Sequence, residues 1–150
     1  HCFIEALHRF LQRHHLEDDT WNNRQAFVGV SGGADSICLL HTLSIFPPIR
    51  NRLTILHFNH QTDPQRNKEE ESFVRDHAGL LGLPFIVGYR EKSLQNLSED
   101  ILRRERYQFF NRYLDERPRS VLFLGHHLSD QSETILMNLF RNRGPEVFWE

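Results

Sequence analysis

The sequence predicts an α/β domain with a parallel sheet. Short apolar runs rich in β-branched and aromatic residues alternate with longer stretches of helical periodicity along the whole chain, as in strand–helix–strand units. The length of 150 residues suffices for one such domain with a buried core and is short for two. The content of 39% hydrophobic and 25% charged residues is that of a globular chain.

Phe3, Leu7, Phe10 and Leu11 recur at helical spacing and predict an amphipathic N-terminal helix. Ala26–Val30 reads as a first buried strand, and Ser36–Phe46 as a helix stopped by Pro47-Pro48. Leu53–Phe58 is a second strand. Asp63-Pro64 opens a helix with Phe73, Val74, Ala78 and Leu81 on one side, ending near Gly82. Pro84–Gly88 is a short third strand, and a helix is expected from about Ser98 to Leu114. Val121–Gly125 is the fourth strand. Ser129 or Asp130 is then expected to cap a helix carrying Ile135, Leu136, Leu139 and Phe140, closed by Gly144-Pro145.

Composition removes several classes. No apolar run approaches the roughly 20 residues of a membrane span, so no membrane association is expected. His1–Phe10 lacks a basic segment followed by an apolar stretch, so no signal peptide is expected. Cys2 and Cys38 support neither a disulfide framework nor a zinc site, Cys38 reading as a small buried hydrophobe, and a reducing cytoplasm is the expected compartment. The net charge of −2 announces no nucleic-acid binder; residues 90–119 hold eight Lys/Arg against six acids, which a solvated helix face explains equally well.

The sharpest local feature is Ser31-Gly32-Gly33-Ala34-Asp35-Ser36, between a buried strand and a helix. Gly32 and Gly33 let the backbone turn tightly and approach a ligand unobstructed. Successive N–H groups in such a turn, with the positive end of the next helix, form an anion-binding nest. Ser31 and Ser36 add hydroxyls, and Asp35 adds an oxygen ligand for Mg²⁺. The loop lacks the Gly-Lys-Ser/Thr ending of a Walker loop and the third glycine of a dinucleotide fingerprint. An ordinary strand-to-helix turn is the plain alternative, but the carboxyl end of a first strand is where open α/β sheets bind ligands.

Three further segments carry chemistry. His126-His127-Leu128-Ser129-Asp130-Gln131-Ser132-Glu133-Thr134 follows the fourth strand and sets a carboxylate beside paired imidazoles, suited to Mg²⁺ binding or proton transfer. A capping box from Asp130 to Glu133 coexists with that reading. Glu99, Arg103 and Arg106 share a helix face, where a plain Glu99–Arg103 ion pair is the simpler account. His57-Phe58-Asn59-His60 ends the second strand.

Ser31–Ser36 matches the Ser-Gly-Gly-x-Asp-Ser loop of the N-type ATP pyrophosphatases, in which the loop cradles the phosphates that leave as pyrophosphate. His126–Thr134 resembles the His-His-x-Asp-Asp-Gln-x-Glu-Thr motif of tRNA(Ile)-lysidine synthetases. Glu99–Tyr107 resembles that family's Glu-x-x-Ala-Arg-x-x-Arg-Tyr pattern, and His57–His60 its His-Val-Asn-His. The resemblance runs from about Phe27 to Gly144. It implies a Rossmann-like, adenine nucleotide alpha hydrolase-like three-layer α/β/α domain that forms the catalytic part of a longer enzyme. This chain is expected to stop before the last strand and before the tRNA-recognition domains.

The resemblance also implies a reaction. ATP adenylates the C2 oxygen of the wobble cytidine in an isoleucine tRNA with a CAU anticodon, and pyrophosphate leaves. The ε-amine of free L-lysine then expels AMP. ATP binding falls to Ser31, Gly32, Gly33, Ala34, Asp35, Ser36, His57 and Asn59; substrate binding to Glu99, Arg103 and Arg106. Asp35, His126 and Asp130 are the catalytic candidates, with Asp35 and Asp130 holding Mg²⁺. The chain departs from the pattern at Ser129, where an aspartate is usual, at Gln61-Thr62-Asp63 and at Arg141-Asn142-Arg143-Gly144. A tRNA thiolation enzyme is the nearest alternative, but no Cys-x-x-Cys pair is present. Amidotransferase-type members and a non-catalytic ATP-binding fragment complete the alternatives.

Overall fold

The computed structural model describes residues 4–13, 21, 23–91, 98–117, 119–129, 132–141 and 144–148, with backbone alone from residue 125 onward. The elements are α1 (Ile4–Arg13), β1 (Ala26–Gly29), α2 (Ala34–Ser44), α3 (Pro47–Arg50), β2 (Leu53–Asn59) and α4 (Pro64–Leu81). They continue with β3 (Phe85–Tyr89), α5 (Glu99–Asp115), β4 (Val121–Ser129), β5 (Ser132–Arg141) and β6 (Gly144–Phe148). The sheet order is β3-β2-β1-β4-β5-β6. The first four strands are mutually parallel, with Val28 opposite both Ile55 and Phe123.

Helix limits follow local chemistry. Asp63 caps α4 by accepting from the Arg66 N–H at 3.3 Å, Pro64 occupies the first turn, and Gly82 ends the helix at φ 65°. Ser98 caps α5 by accepting from the Ile101 N–H at 3.2 Å. Pro47 and Pro48 do not merely stop α2; they open the short turn α3.

Both faces of the central strands are buried, and the two-residue period of a strand sorts their side chains between two cores. Ala26, Val28, Val30, Ile55, Val121 and Phe123 join Leu39, Leu40, Leu43 and Val74 beneath α2 and α4. Phe27, Leu56, Phe58, Leu122 and Leu124 join Phe109, Phe110 and Leu114 beneath α5. The result is the expected three-layer α/β/α arrangement.

Gly29 faces the second core, and it lets α5 close on the sheet. A Cβ there would lie 2.5 Å from Leu124 Cδ2 and 2.9 Å from Phe110 Cζ. Gly29→Ala is expected to destabilise the domain by about 1–3 kcal/mol through overpacking, measured as a lower urea midpoint at unchanged m.

Two expectations are corrected. The segment read as a capped helix with Ile135, Leu136, Leu139 and Phe140 is instead strand β5, antiparallel to β4, with Leu124 opposite Leu136 and His126 opposite Thr134. Ile135-Leu136-Met137 and Leu139-Phe140 form an almost continuous apolar run, which suits a buried strand as well as a helix. β6 pairs with β5 through Gly144 opposite Arg141, placing Pro145 on an edge strand where its missing N–H is tolerated. Cys38, partly buried against the first core, is disulfide-bonded; spacing along a chain does not report which thiols a fold brings into range. Among the described residues no helix is long and apolar enough to cross a membrane.

Candidate functional site

From β1 the chain proceeds to β2 and β3 on one side, then returns to β4 on the other. Connections leaving β1 and β4 therefore diverge, opening a crevice at the carboxyl ends of the strands. The segment Val30–Gly33 crosses this switch point before α2 begins at Ala34.

The loop is held by its own serines. The Ser36 hydroxyl donates to the Gly33 carbonyl at 3.0 Å and accepts from the Ser31 N–H at 3.2 Å. The Ser31 hydroxyl lies 3.2 Å from that of Ser36 and accepts from the Gly33 N–H at 3.3 Å. Gly32 has φ 98°, a conformation that needs glycine. Gly33 is the N-cap of α2 and provides no side-chain cap, so the helix's first N–H groups keep their capacity for a ligand. Asp35 stands in that first turn, partly buried.

His57 fastens the loop from behind. Its side chain is buried, and Nδ1 donates to the Val30 carbonyl at 2.6 Å. Burial lowers its pKa, opposed by the hydrogen bond to Val30 and the charges of Glu71 and Glu70. Asn59 forms the strand-end turn: its Oδ1 accepts from the Gln61 N–H at 2.9 Å, and its Nδ2 donates to Glu71 at 3.2 Å.

Strand alternation turns His60 to the opposite face from His57, into a cleft of about 130 Å³. Gly29, Val30, Ser31 and Ser36 form one wall, and Glu70, Phe58, Arg106 and Phe110 line the rest. Among the described residues His60 Nδ1 is buried without a hydrogen-bond partner. Its pKa is lowered first by burial and then by the Arg106 charge. Arg106 is half-buried, its guanidinium 5.7 Å from the Tyr107 ring, and among the described residues it has no hydrogen bond or ion pair. Burial is the main cause that lowers its pKa. A half-buried cation facing the Ser31–Ser36 loop is suited to a polyphosphate or adenylate.

The sequence-expected residues thus divide. Ser31, Gly32, Gly33, Ala34, Asp35 and Ser36 form the loop, and Arg106 meets it across the cleft. His57 and Asn59 stand at the β2 end with their side chains engaged by protein groups. Glu99 and Arg103 are exposed on α5, with the Arg103 guanidinium 5.6 Å from the Tyr107 ring. His126 is on β4 with its side chain outside the described residues, and Asp130 lies wholly outside them. His60 and Glu70 were not among the expected ligands; the period-two alternation of β2 was the available signal for His60, whereas nothing local marks Glu70.

His57 and His60 couple the site to pH. Both folded pKa values lie below the ordinary 6.5. Below about pH 6.5 the unfolded chain therefore binds protons that the folded chain refuses. Their stabilising effect is complete above that pH and is lost as pH falls through it, by at most about 1.4 kcal/mol per pH unit for each group. Urea midpoints measured from pH 7.5 to 5.5 should fall, and less steeply in His57→Gln; an equal slope would remove His57 from the account.

The chain matches the PP-loop domain family model over residues 5–148. It is 38% identical over 120 residues to a tRNA(Ile)-lysidine synthase of Streptococcus equi subsp. equi, covering 79% of this chain and 27% of that protein. A tRNA(Ile)-lysidine synthase of Chlorobaculum tepidum is 33% identical over 142 residues, covering 91% of this chain and 43% of the relative. The chain therefore spans less than half the length of these curated relatives. Among solved structures, an NH3-dependent NAD synthetase from Campylobacter jejuni superposes with a TM-score of 0.56 at 17% identity, covering 80% of this chain and 53% of that one. That likeness concerns the fold alone.

Proposed function

This chain belongs to the PP-loop domain family, and from that premise we propose that it is the ATP-binding catalytic part of a tRNA(Ile)-lysidine synthetase. One observation carries the reading: the serine-bound loop, the Arg106 guanidinium and the His60 ring nitrogen, both without a hydrogen-bond partner among the described residues, converge on one cleft at the switch point. The names of the relatives supply the substrate.

In this reading the loop N–H groups and Ser31 and Ser36 hold the β- and γ-phosphates, while Arg106 neutralises charge across the cleft. The C2 oxygen of the wobble cytidine attacks the α-phosphorus, and the bond to the β-phosphate breaks, releasing pyrophosphate. The lysine ε-amine then attacks C2, the C2–oxygen bond breaks, AMP leaves, and the amine's protons pass to a neighbouring base. His126 and Asp130 are the bases proposed. Asp35 fits Mg²⁺, which is commonly held by one or two carboxylates together with substrate phosphates and water; Glu70 offers a second carboxylate in the cleft. When bound, the ion supplies charge neutralisation to the triphosphate.

The full-length protein incubated with ATP, labelled lysine and bulk tRNA should incorporate lysine and release AMP and pyrophosphate in equal amounts. ATP consumption with sulfur incorporation, or none at all, would overturn the substrate assignment.

A further inference from the structure

Outside the cleft, two imidazoles meet between α2 and α4. His41 Nε2 lies 3.2 Å from His77 Nδ1, although the residues are 36 apart in sequence. The rings stand at 83° with centroids 5.2 Å apart. Phe73, one turn before His77, packs edge-on against that ring at 4.6 Å and limits its rotation. His41 is exposed and His77 half-buried, so water reaches the pair.

The spacing is informative. Two imidazole nitrogens each about 2.0–2.1 Å from one zinc ion are separated by about 3.3 Å at a tetrahedral angle and about 2.9 Å at a right angle. The His41–His77 gap falls between these values. An N–H···N hydrogen bond accounts for the contact without metal, but between water-accessible partners it contributes little to stability.

We propose that His41 and His77 form a two-imidazole site for a late first-row divalent cation, of the Zn²⁺, Ni²⁺ or Cu²⁺ class. Among the described residues no third His, Cys, Asp or Glu completes the group, so water fills the remaining positions. Such a site selects metals with strong affinity for imidazole and passes over Mg²⁺, which prefers oxygen. Its place in the fold gives it a consequence. α2 starts at the phosphate loop, and α4 carries Glu70 into the cleft. A metal joining His41 to His77 ties together the two helices that border the nucleotide loop.

The test is a titration of the chain with Ni²⁺ and Zn²⁺, followed by calorimetry and thermal unfolding. At free metal ten times Kd, Tm should rise by about 3–6 °C and return on adding EDTA. His41→Ala and His77→Ala should each weaken binding at least tenfold while circular dichroism stays unchanged, since both side chains are accessible. The chain holds ten histidines, among them the adjacent pair His14-His15. The His14→Ala/His15→Ala double variant should therefore keep the wild-type Kd and Tm shift. Wild-type affinity in the His41→Ala/His77→Ala double variant, or no Tm shift in the wild type, would overturn the proposal. None of these readouts depends on ATP or tRNA.

Discussion

Asp35→Ala is expected to lower tRNA-dependent ATP–pyrophosphate exchange by at least about 1000-fold while leaving the fold intact, because a metal-binding carboxylate contributes several kcal/mol of charge stabilisation in the transition state. Asp35 stands in the first turn of α2, directly beyond the loop that crosses the switch point. The N-cap Gly33 contributes no side chain, so Asp35 is the one acidic group set in the first turn at the helix's positive end. A triphosphate docking there carries far more negative charge than one helix terminus offsets, and in the proposed site Mg²⁺ held by Asp35 would supply the difference. Loss of this carboxylate from the first turn of a helix costs only about 0.3–1 kcal/mol of stability. Exchange and Tm therefore separate the two roles. Asp35→Asn should resemble Asp35→Ala, since it keeps the shape and removes the charge. Exchange at the wild-type rate in either variant would remove Asp35 from the metal site.

The sequence displayed the parts of the site that depend on neighbours along the chain. Gly32, Gly33, Ser31 and Ser36 act on one another within six residues, so the loop's chemistry was readable in place. The contrast between His57 and His60 was less accessible. Both follow from the β2 alternation, but which face is a cleft depends on where α5 packs, and that is decided by Phe109 and Phe110 some fifty residues on. Glu70 reaches the cleft only because α4 crosses the loop; Gly32 and Glu70 are neighbours in space, with a Cβ on Gly32 3.7 Å from that of Glu70. The strand-for-helix difference in β5 has another origin. A dense apolar run satisfies both periods, and long-range pairing with β4 decides between them.

Arg106→Ala is expected to reduce kcat/KM for ATP by about 100–1000-fold, the usual effect of removing one preorganised donor from a desolvated site. Its neighbour Arg90 shows why this loss is specific. Arg90 is buried, and its Nε donates to Glu105 Oε2 at 2.9 Å; among the described residues the other carboxylate oxygen is buried and unpartnered. Arg90→Ala strands a charge and should cost about 3–5 kcal/mol of stability. Arg106 strands no partner among the described residues, where its one contact of this kind is with the Tyr107 ring, and burial already disfavours its charge. Ligand-free Arg106→Ala should therefore have an unchanged or higher Tm, while the Tm increase produced by ATP shrinks. Arg106→Lys, keeping the charge but not the planar fork, should recover only part of the loss. A destabilised Arg106→Ala whose kcat/KM stays near wild type would place Arg106 with Arg90, as a residue that holds α5 in place.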